Sequence, residues 1–156
     1  MLSKYMPLSR IVMIMAVAAL VMGIVFIYQG VSKANMITEQ MREEAVPASM
    51  FIGNATGVID TEAEAQKAAD TVKEHRHGLV ASYADLGRYN PGNQTHLSYT
   101  QALNLENYLY MGVFALGFTQ AVTVIGVFMI LVGIALLAVW AAIRKKKAAE
   151  VKVKST

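Results

Sequence analysis

The chain has 156 residues, of which 55% are hydrophobic and 16% are charged, and its formal net charge is +3. This low charged fraction and a positive mean hydropathy are atypical of a soluble domain. The absence of cysteine excludes disulfides, zinc-thiolate sites, iron–sulfur clusters and a cysteine nucleophile.

The charges fall into three blocks along the chain. Residues 1–10, the predicted cytoplasmic N-terminus, carry two basic residues and no acid, and residues 144–156 carry six basic residues and one acid. Residues 33–108 carry six Lys and Arg against ten Asp and Glu, a formal charge of −4. Basic ends around an acidic middle predict two membrane crossings with both termini in the cytoplasm. We therefore expect a multi-pass protein of the cell (plasma) membrane.

The first predicted element is transmembrane helix 1, at residues 11–32. This uncharged run is long enough to cross a bilayer. A signal peptide is the alternative, because a basic start and an apolar core precede Ser32-Lys33-Ala34, which fits a cleavage site. The run exceeds the usual length of a signal core, which favours a retained span. No strong helix breaker follows until Pro47, so an outer extension of the helix is predicted over 33–47.

The segment 48–97 is predicted to be extracytoplasmic and to contain one short helix at 61–77. Thr61 and Glu64 form a capping box, and the alanines that follow favour helix. The segment is too small for an independent core, so we expect its helix to pack on the long helices. The predicted packing face is narrow and consists of Ala65, Ala68, Ala69, Val72 and His75 or Arg76.

The final helix is predicted to be too long for the bilayer that it crosses. Its uncharged run, 107–143, would measure roughly 55 Å as a helix, against about 30 Å of hydrocarbon. Trp140 beside Arg144 marks the cytoplasmic interface, which predicts transmembrane helix 2 at 119–143. The outer part of this helix is therefore expected at 98–118, with its first residue at Ser98 or Thr100.

Small residues recur every seven positions in both long helices, which permits close packing in lipid. A 3.5-residue period predicts a left-handed crossing. The sequence thus predicts an all-α membrane protein whose two long transmembrane helices form an antiparallel hairpin that extends beyond the outer face. The predicted register pairs Ala16 with Gly133, Gly23 with Gly126, Gly30 with Thr119, and Ile37 with Gly112.

Residues able to support catalysis are few. His75, His77 and His96 are candidate ligands for extracytoplasmic copper, since imidazole is a common metal ligand. However, two histidines at i and i+2 on a helix do not face one point, and Arg76 would repel a cation. We therefore expect no metal or other cofactor. Glu106 is either a functional acid or, as we expect, a partner for the dipole at the start of the final helix.

Aromatic residues cluster in the apolar outer part of the final helix and predict a surface that another subunit covers. The predicted interface residues are Tyr108, Leu109, Tyr110, Phe114 and Phe118. The basic tail at 144–156 is expected to contact anionic lipid rather than nucleic acid, because it adjoins an apolar span.

The stretches "AQKAADTVKEHRHG" and "SYTQALNLENYLYMGVFALGFTQ" resemble small actinobacterial-type two-span membrane proteins of unknown function. The chain is also similar to the small extra subunit of membrane-bound, copper-dependent hydrocarbon monooxygenases. That resemblance implies that catalysis belongs to larger integral membrane subunits, which this chain would brace.

The sequence therefore predicts a non-catalytic accessory subunit of a larger membrane enzyme complex, docked through an extracytoplasmic helical stalk. Two alternatives stay open. One is an extracytoplasmic protein that binds or delivers copper through the three histidines. The other is a small-ligand membrane sensor with a pocket in 48–96 and a cytoplasmic partner for the lysine-rich tail.

Overall fold

The computed structural model describes residues 8–154, without the side chains of Lys147 and 150–154. The predicted N-terminal segment up to residue 7 lies outside this range. Within it the regular structure is helical, apart from one isolated bridge between Pro47 and Val58. The elements are α1 (Leu8–Glu43), α2 (Glu62–Leu79) and α3 (Gln94–Lys154), with short 3-10 helices at Ala48–Met50 and Ala84–Leu86.

The prediction of an all-α chain with two long apolar helices is confirmed. Both α1 and α3 are long and apolar enough to cross a membrane. Helix α2 begins one residue after Thr61, whose hydroxyl caps it by accepting a hydrogen bond from the Glu64 backbone N–H.

The predicted start of the final helix at Ser98 or Thr100 is wrong. Helix α3 begins at Gln94, just after Asn93, whose side-chain oxygen accepts a hydrogen bond from the Thr95 backbone N–H at 2.9 Å. Asparagine is a strongly preferred helix N-cap residue. Asn93 precedes Ser98 and Thr100, the two residues on which the predicted start was based.

The chain divides into two compact units. Among the described residues, the terminal unit contains 8–31 and 120–154, and the central unit contains Ser32–Thr119. The divisions fall within α1 and α3, so each long helix contributes to both units.

In the terminal unit, backbone segments of α1 and α3 approach closely at small residues. A Cβ added to Gly23 would lie 2.7 Å from the carbonyl oxygen of Gly126, which is closer than real Cβ atoms come. A Cβ on Gly133 would meet the Leu20 side chain at 2.6 Å and the Ala16 carbonyl oxygen at 3.1 Å. Residues nearer the start of α1 thus contact residues nearer the end of α3. Large apolar side chains such as Ile24, Val124 and Phe128 are exposed in this unit.

The central unit has a small core built around α2. Its buried members come from α1, α2, α3 and the 44–61 connection, and they are Met41, Ala48, Ile59, Ala65, Ala68, Ala69, Val72 and Leu109. The predicted packing face of α2 is confirmed, and of its two candidates for the last position Arg76 is buried and His75 exposed.

The connection from α1 to α2 is held by backbone and charged contacts. Ala45, just after α1, has a left-handed φ of 50°, and the Ile59 N–H donates to the Val46 carbonyl at 2.9 Å. Arg42 on α1 pairs with Asp60, just before α2, at 2.7 Å. These contacts place the first turn of α2 beside the last turn of α1.

Candidate functional site: an exposed apolar strip beside a buried ion pair

A buried ion pair connects α2 to α3 in the central unit. The Arg76 Nε donates to a Glu106 carboxylate oxygen at 2.6 Å, and both side chains are only 8% exposed. Arg76 also donates to the Tyr99 hydroxyl, and its guanidinium carbon lies 4.9 Å from the centre of the Tyr99 ring. Every buried side-chain polar atom among the described residues has a hydrogen-bond partner.

The geometry assigns these residues to positioning rather than to proton transfer. The hydrogen bond with Glu106 raises the pKa of Arg76, which therefore stays protonated. Its carboxylate partner is committed to the guanidinium, and a buried charge without its partner is strongly destabilising.

Glu106 is thus not the dipole partner that the sequence suggested. Helix α3 begins at Gln94, so Glu106 lies well beyond the first turn, where the dipole effect has faded. Two features of the sequence indicate this ion pair. Arg76 falls on the apolar face of α2, and Glu106 immediately precedes a long uncharged run, so each needs a partner if buried.

The three histidines are not brought together. His75 and His77 are exposed on α2, whereas His96 is partly buried and its Nδ1 accepts a hydrogen bond from the Asn90 backbone N–H at 3.0 Å. In the described part of the chain, no group of three His, Asp or Glu side chains has the spacing to hold a metal ion.

An exposed apolar strip runs along α3 in the central unit. It consists of Met111, Phe114 and Phe118, which are 72%, 76% and 61% exposed. Spacings of three and four residues place them on one helix face. The rings of Phe114 and Phe118 lie 6.4 Å apart and are stacked.

The predicted interface residues divide between this strip and the core. Phe114 and Phe118 belong to the strip, and Tyr108 is 37% exposed. Leu109 does not belong to the strip: its side chain is 1% exposed and packs in the core of the central unit. Tyr110 also turns inward and donates its hydroxyl to Asp70 on α2 at 2.7 Å. Leu109 and Met111 lie about 160° apart around the helix axis, on nearly opposite faces, which explains their opposite environments.

A carboxylate lies beside α3 close to the strip. A Cβ added to Gly117 would lie 3.4 Å from a carboxylate oxygen of Glu62, the first residue of α2. An ionised carboxylate is costly in hydrocarbon.

An apolar groove adjoins the strip on α3. It has a volume of about 410 Å³ and lies between the last turns of α1 and residues 108–115 of α3. Gly112 leaves room for Met41, whose sulfur would lie 3.4 Å from a Cβ on that glycine. The groove is lined by Ile37, Gln40, Met41, Glu43, Glu44, Tyr108, Met111, Gly112 and Ala115.

Comparison of the chain with protein families, curated protein sequences and solved structures finds no match.

Proposed function

We propose that this chain is a non-catalytic accessory subunit of a larger integral membrane enzyme complex. The main support for this proposal is the exposed strip of Met111, Phe114 and Phe118. The opposite face of the same helix is already packed in the core of the central unit. Full burial of a side chain of this size is worth about 1.5–3 kcal/mol. Three such side chains in one row supply a strong reason for a partner to cover them.

The strip has the composition of an interface centre. Aromatic residues and methionine are enriched at protein interfaces, and charged residues are depleted there. Scattered exposed apolar residues are ordinary on a protein surface, but a contiguous row on one helix face marks an interaction site. The Glu62 carboxylate, which lies beside Gly117 between Phe114 and Phe118 along the chain, supports cover by protein rather than by acyl chains.

The two long helices serve as the membrane anchor in this proposal. Their exposed faces in the terminal unit are apolar, as lipid contact requires. Arg144 lies over the Trp140 ring at 5.1 Å, a pairing suited to a membrane–water interface. The proposed topology places both termini in the cytoplasm, the central unit outside the cell and the basic tail against anionic lipid.

The partner in this proposal is a set of larger integral membrane subunits that carry the catalytic chemistry. The resemblance to the extra subunit of copper-dependent hydrocarbon monooxygenases suggests one such enzyme class. Copper would then belong to the partner, since the described histidines do not converge.

The proposal is tested by affinity purification of the tagged chain from native membrane in mild detergent, with mass spectrometry and metal analysis. We expect larger membrane subunits at fixed stoichiometry with the wild-type chain. Phe114→Gln combined with Phe118→Gln should release them, because two anchors lose their apolar contacts. The variant should still resist carbonate extraction, since neither side chain is buried in the chain's own core.

The matched control is Met50→Gln combined with Leu79→Gln, which changes two exposed apolar residues elsewhere in the central unit. The control should retain the partner subunits. Absence of any stoichiometric partner with the wild-type chain would overturn the proposal, as would full retention by the Phe114/Phe118 variant. Stoichiometric copper on the isolated chain would instead favour the metal-delivery alternative.

A further inference from the structure

The groove beside the strip combines an apolar floor with an acidic end. Ile37, Met41 and Ala115 contribute apolar side chains, and Glu43 and Glu44 place exposed carboxylates at the end of α1. Within the part of the chain that the structure describes, neither carboxylate forms a hydrogen bond or an ion pair. The one cation of this turn, Arg42, is already paired with Asp60.

The end of α1 adds to the negative potential. A helix C-terminus carries a partial negative charge, and a cation placed there is stabilised. Helix α1 ends at Glu43, and the chain then turns at Ala45 with its left-handed backbone. The Tyr108 hydroxyl lies in the same field: burial raises its pKa, and the charge of Glu44 raises it further. A cation in the groove would also contact an aromatic face.

We infer that the groove receives a segment of the partner subunit that carries a Lys or Arg flanked by large apolar side chains. The apolar flanks would fill the floor, and the cation would lie between Glu43, Glu44 and Tyr108. This inference rests on the proposed function and names the chemistry of its partner.

The groove continues directly into the strip. Met111 lines the groove and also begins the strip, so a segment that covers Phe114 reaches the groove along the same face of α3. Small-ligand sites bury most of their ligand. Here Gln40, Glu43, Glu44 and Met111 are all exposed, which fits an open docking surface better than an enclosed ligand site.

Charge argues against a second copy of this chain as the occupant. The central unit holds six Lys and Arg against ten Asp and Glu, a formal charge of −4. Two of its six cations, Arg42 and Arg76, are already paired with acids. Two central units would therefore repel each other, whereas a basic partner is electrostatically complementary.

The first experiment uses the purified complex and compares partner recovery at increasing salt. We expect Glu43→Gln with Glu44→Gln to weaken the complex about tenfold, as loss of two partly exposed charge contacts predicts. The remaining affinity should depend less on salt than that of the wild type, because fewer ion pairs are screened. Glu74→Gln, at an exposed acid on α2, is the matched control and should behave like the wild type.

The second experiment places a photo-crosslinking amino acid at Gln40, which lines the groove and is exposed. After irradiation of the complex, the crosslinked partner peptide should contain a Lys or Arg next to large apolar residues. A peptide without a basic residue, a second copy of this chain or a lipid would overturn the inference, as would unchanged recovery and salt dependence in the Glu43/Glu44 variant.

The two proposals fail in different ways. If the wild-type chain brings no partner, the accessory function itself is wrong. If the partner is recovered and depends on Phe114 and Phe118 but is indifferent to Glu43 and Glu44, the function stands and only the basic segment is wrong.

Discussion

The terminal and central units are stabilised by different physics. In the terminal unit, α1 and α3 meet where glycines let backbone atoms touch, and large apolar side chains lie outside. In the central unit, apolar side chains lie inside, and a buried ion pair connects α2 to α3. The first arrangement suits lipid, where dispersion and close fit favour association. The second suits water, where apolar burial is the main driving force.

The exposed strip of the central unit differs in its surroundings from the exposed side chains of the terminal unit. Exposed Phe128 and Val124 are ordinary in the terminal unit, because lipid is the expected neighbour. Phe114 in the central unit lies about one helical turn from Gly117, where the Glu62 carboxylate packs against α3, so a protein partner is the neighbour that we propose for it.

The largest expected effect of a single substitution is at the buried ion pair. Arg76→Met leaves the Glu106 carboxylate buried without a cation and should lower the free energy of unfolding of the central unit by about 3–5 kcal/mol. Hydrogen exchange of the α2 amides, with the chain in lipid nanodiscs, measures this change. The α2 amides should exchange faster, while amides of residues 11–31 should keep wild-type protection.

The double variant Arg76→Met with Glu106→Leu is the control for this prediction. It removes both charges, and well-packed apolar replacements of a buried pair are often neutral or stabilising. Recovery of most of the protection is expected. If the double variant exchanged as fast as the single one, the ion pair would not be the cause of the stability loss.

Much of the fold could be predicted because it depends on periodicity and local signals. The uncharged runs predicted the two long helices, and the capping box at Thr61 and Glu64 predicted the start of α2. The face of α2 followed from the spacing of its alanines. The start of α3 was missed because the cap at Asn93 precedes a polar turn rather than an apolar run.

The candidate site was less predictable, because it depends on which face of α3 the core selects. Every face of α3 is apolar around Tyr108 to Phe118, so the sequence alone did not separate Leu109 in the core from Phe114 on the surface. The ion pair between Arg76 and Glu106 joins residues that are 30 positions apart, and only the tertiary fold brings them together.

A second prediction compares the same substitution in the two units. Gly23→Ala places a methyl group against the Gly126 backbone and should destabilise the helix pair by about 1–3 kcal/mol, the usual cost of overpacking. Gly78→Ala lies in the last turn of α2 with open space around it and should stabilise that helix by roughly 0.5 kcal/mol, from helix propensity.

Energy transfer between two dyes can follow helix separation during titration with a denaturing detergent. Because the chain has no cysteine, single cysteines introduced at exposed Val21 and Phe128 carry the dyes without competition. Gly23→Ala should separate at lower detergent concentration than the parent, and Gly78→Ala should not. Equal behaviour of the two variants would contradict the close backbone contact.

The smallest expected effect is a pH dependence at the contact between Tyr110 and Asp70. The hydrogen bond to the Asp70 carboxylate, together with burial, raises the pKa of Tyr110 from 10.0 to about 12. Between these values the folded chain holds the phenolic proton more tightly than the unfolded chain. Stability from this contact is therefore fully present below pH 10 and is lost as the pH rises towards 12.

Tyr110→Phe removes the titrating hydroxyl and should flatten this part of the pH profile of central-unit stability. Tyr83→Phe is the matched control, since Tyr83 is exposed in the same unit and its hydroxyl bonds to no described residue. Unfolding measured from pH 9 to 12 should show a wild-type loss that Tyr83→Phe retains and Tyr110→Phe lacks. If stability fell equally with pH in all three proteins, the contact between Tyr110 and Asp70 would not help to hold α2 against α3. The apolar core and the ion pair between Arg76 and Glu106 would then be enough to hold the two helices together.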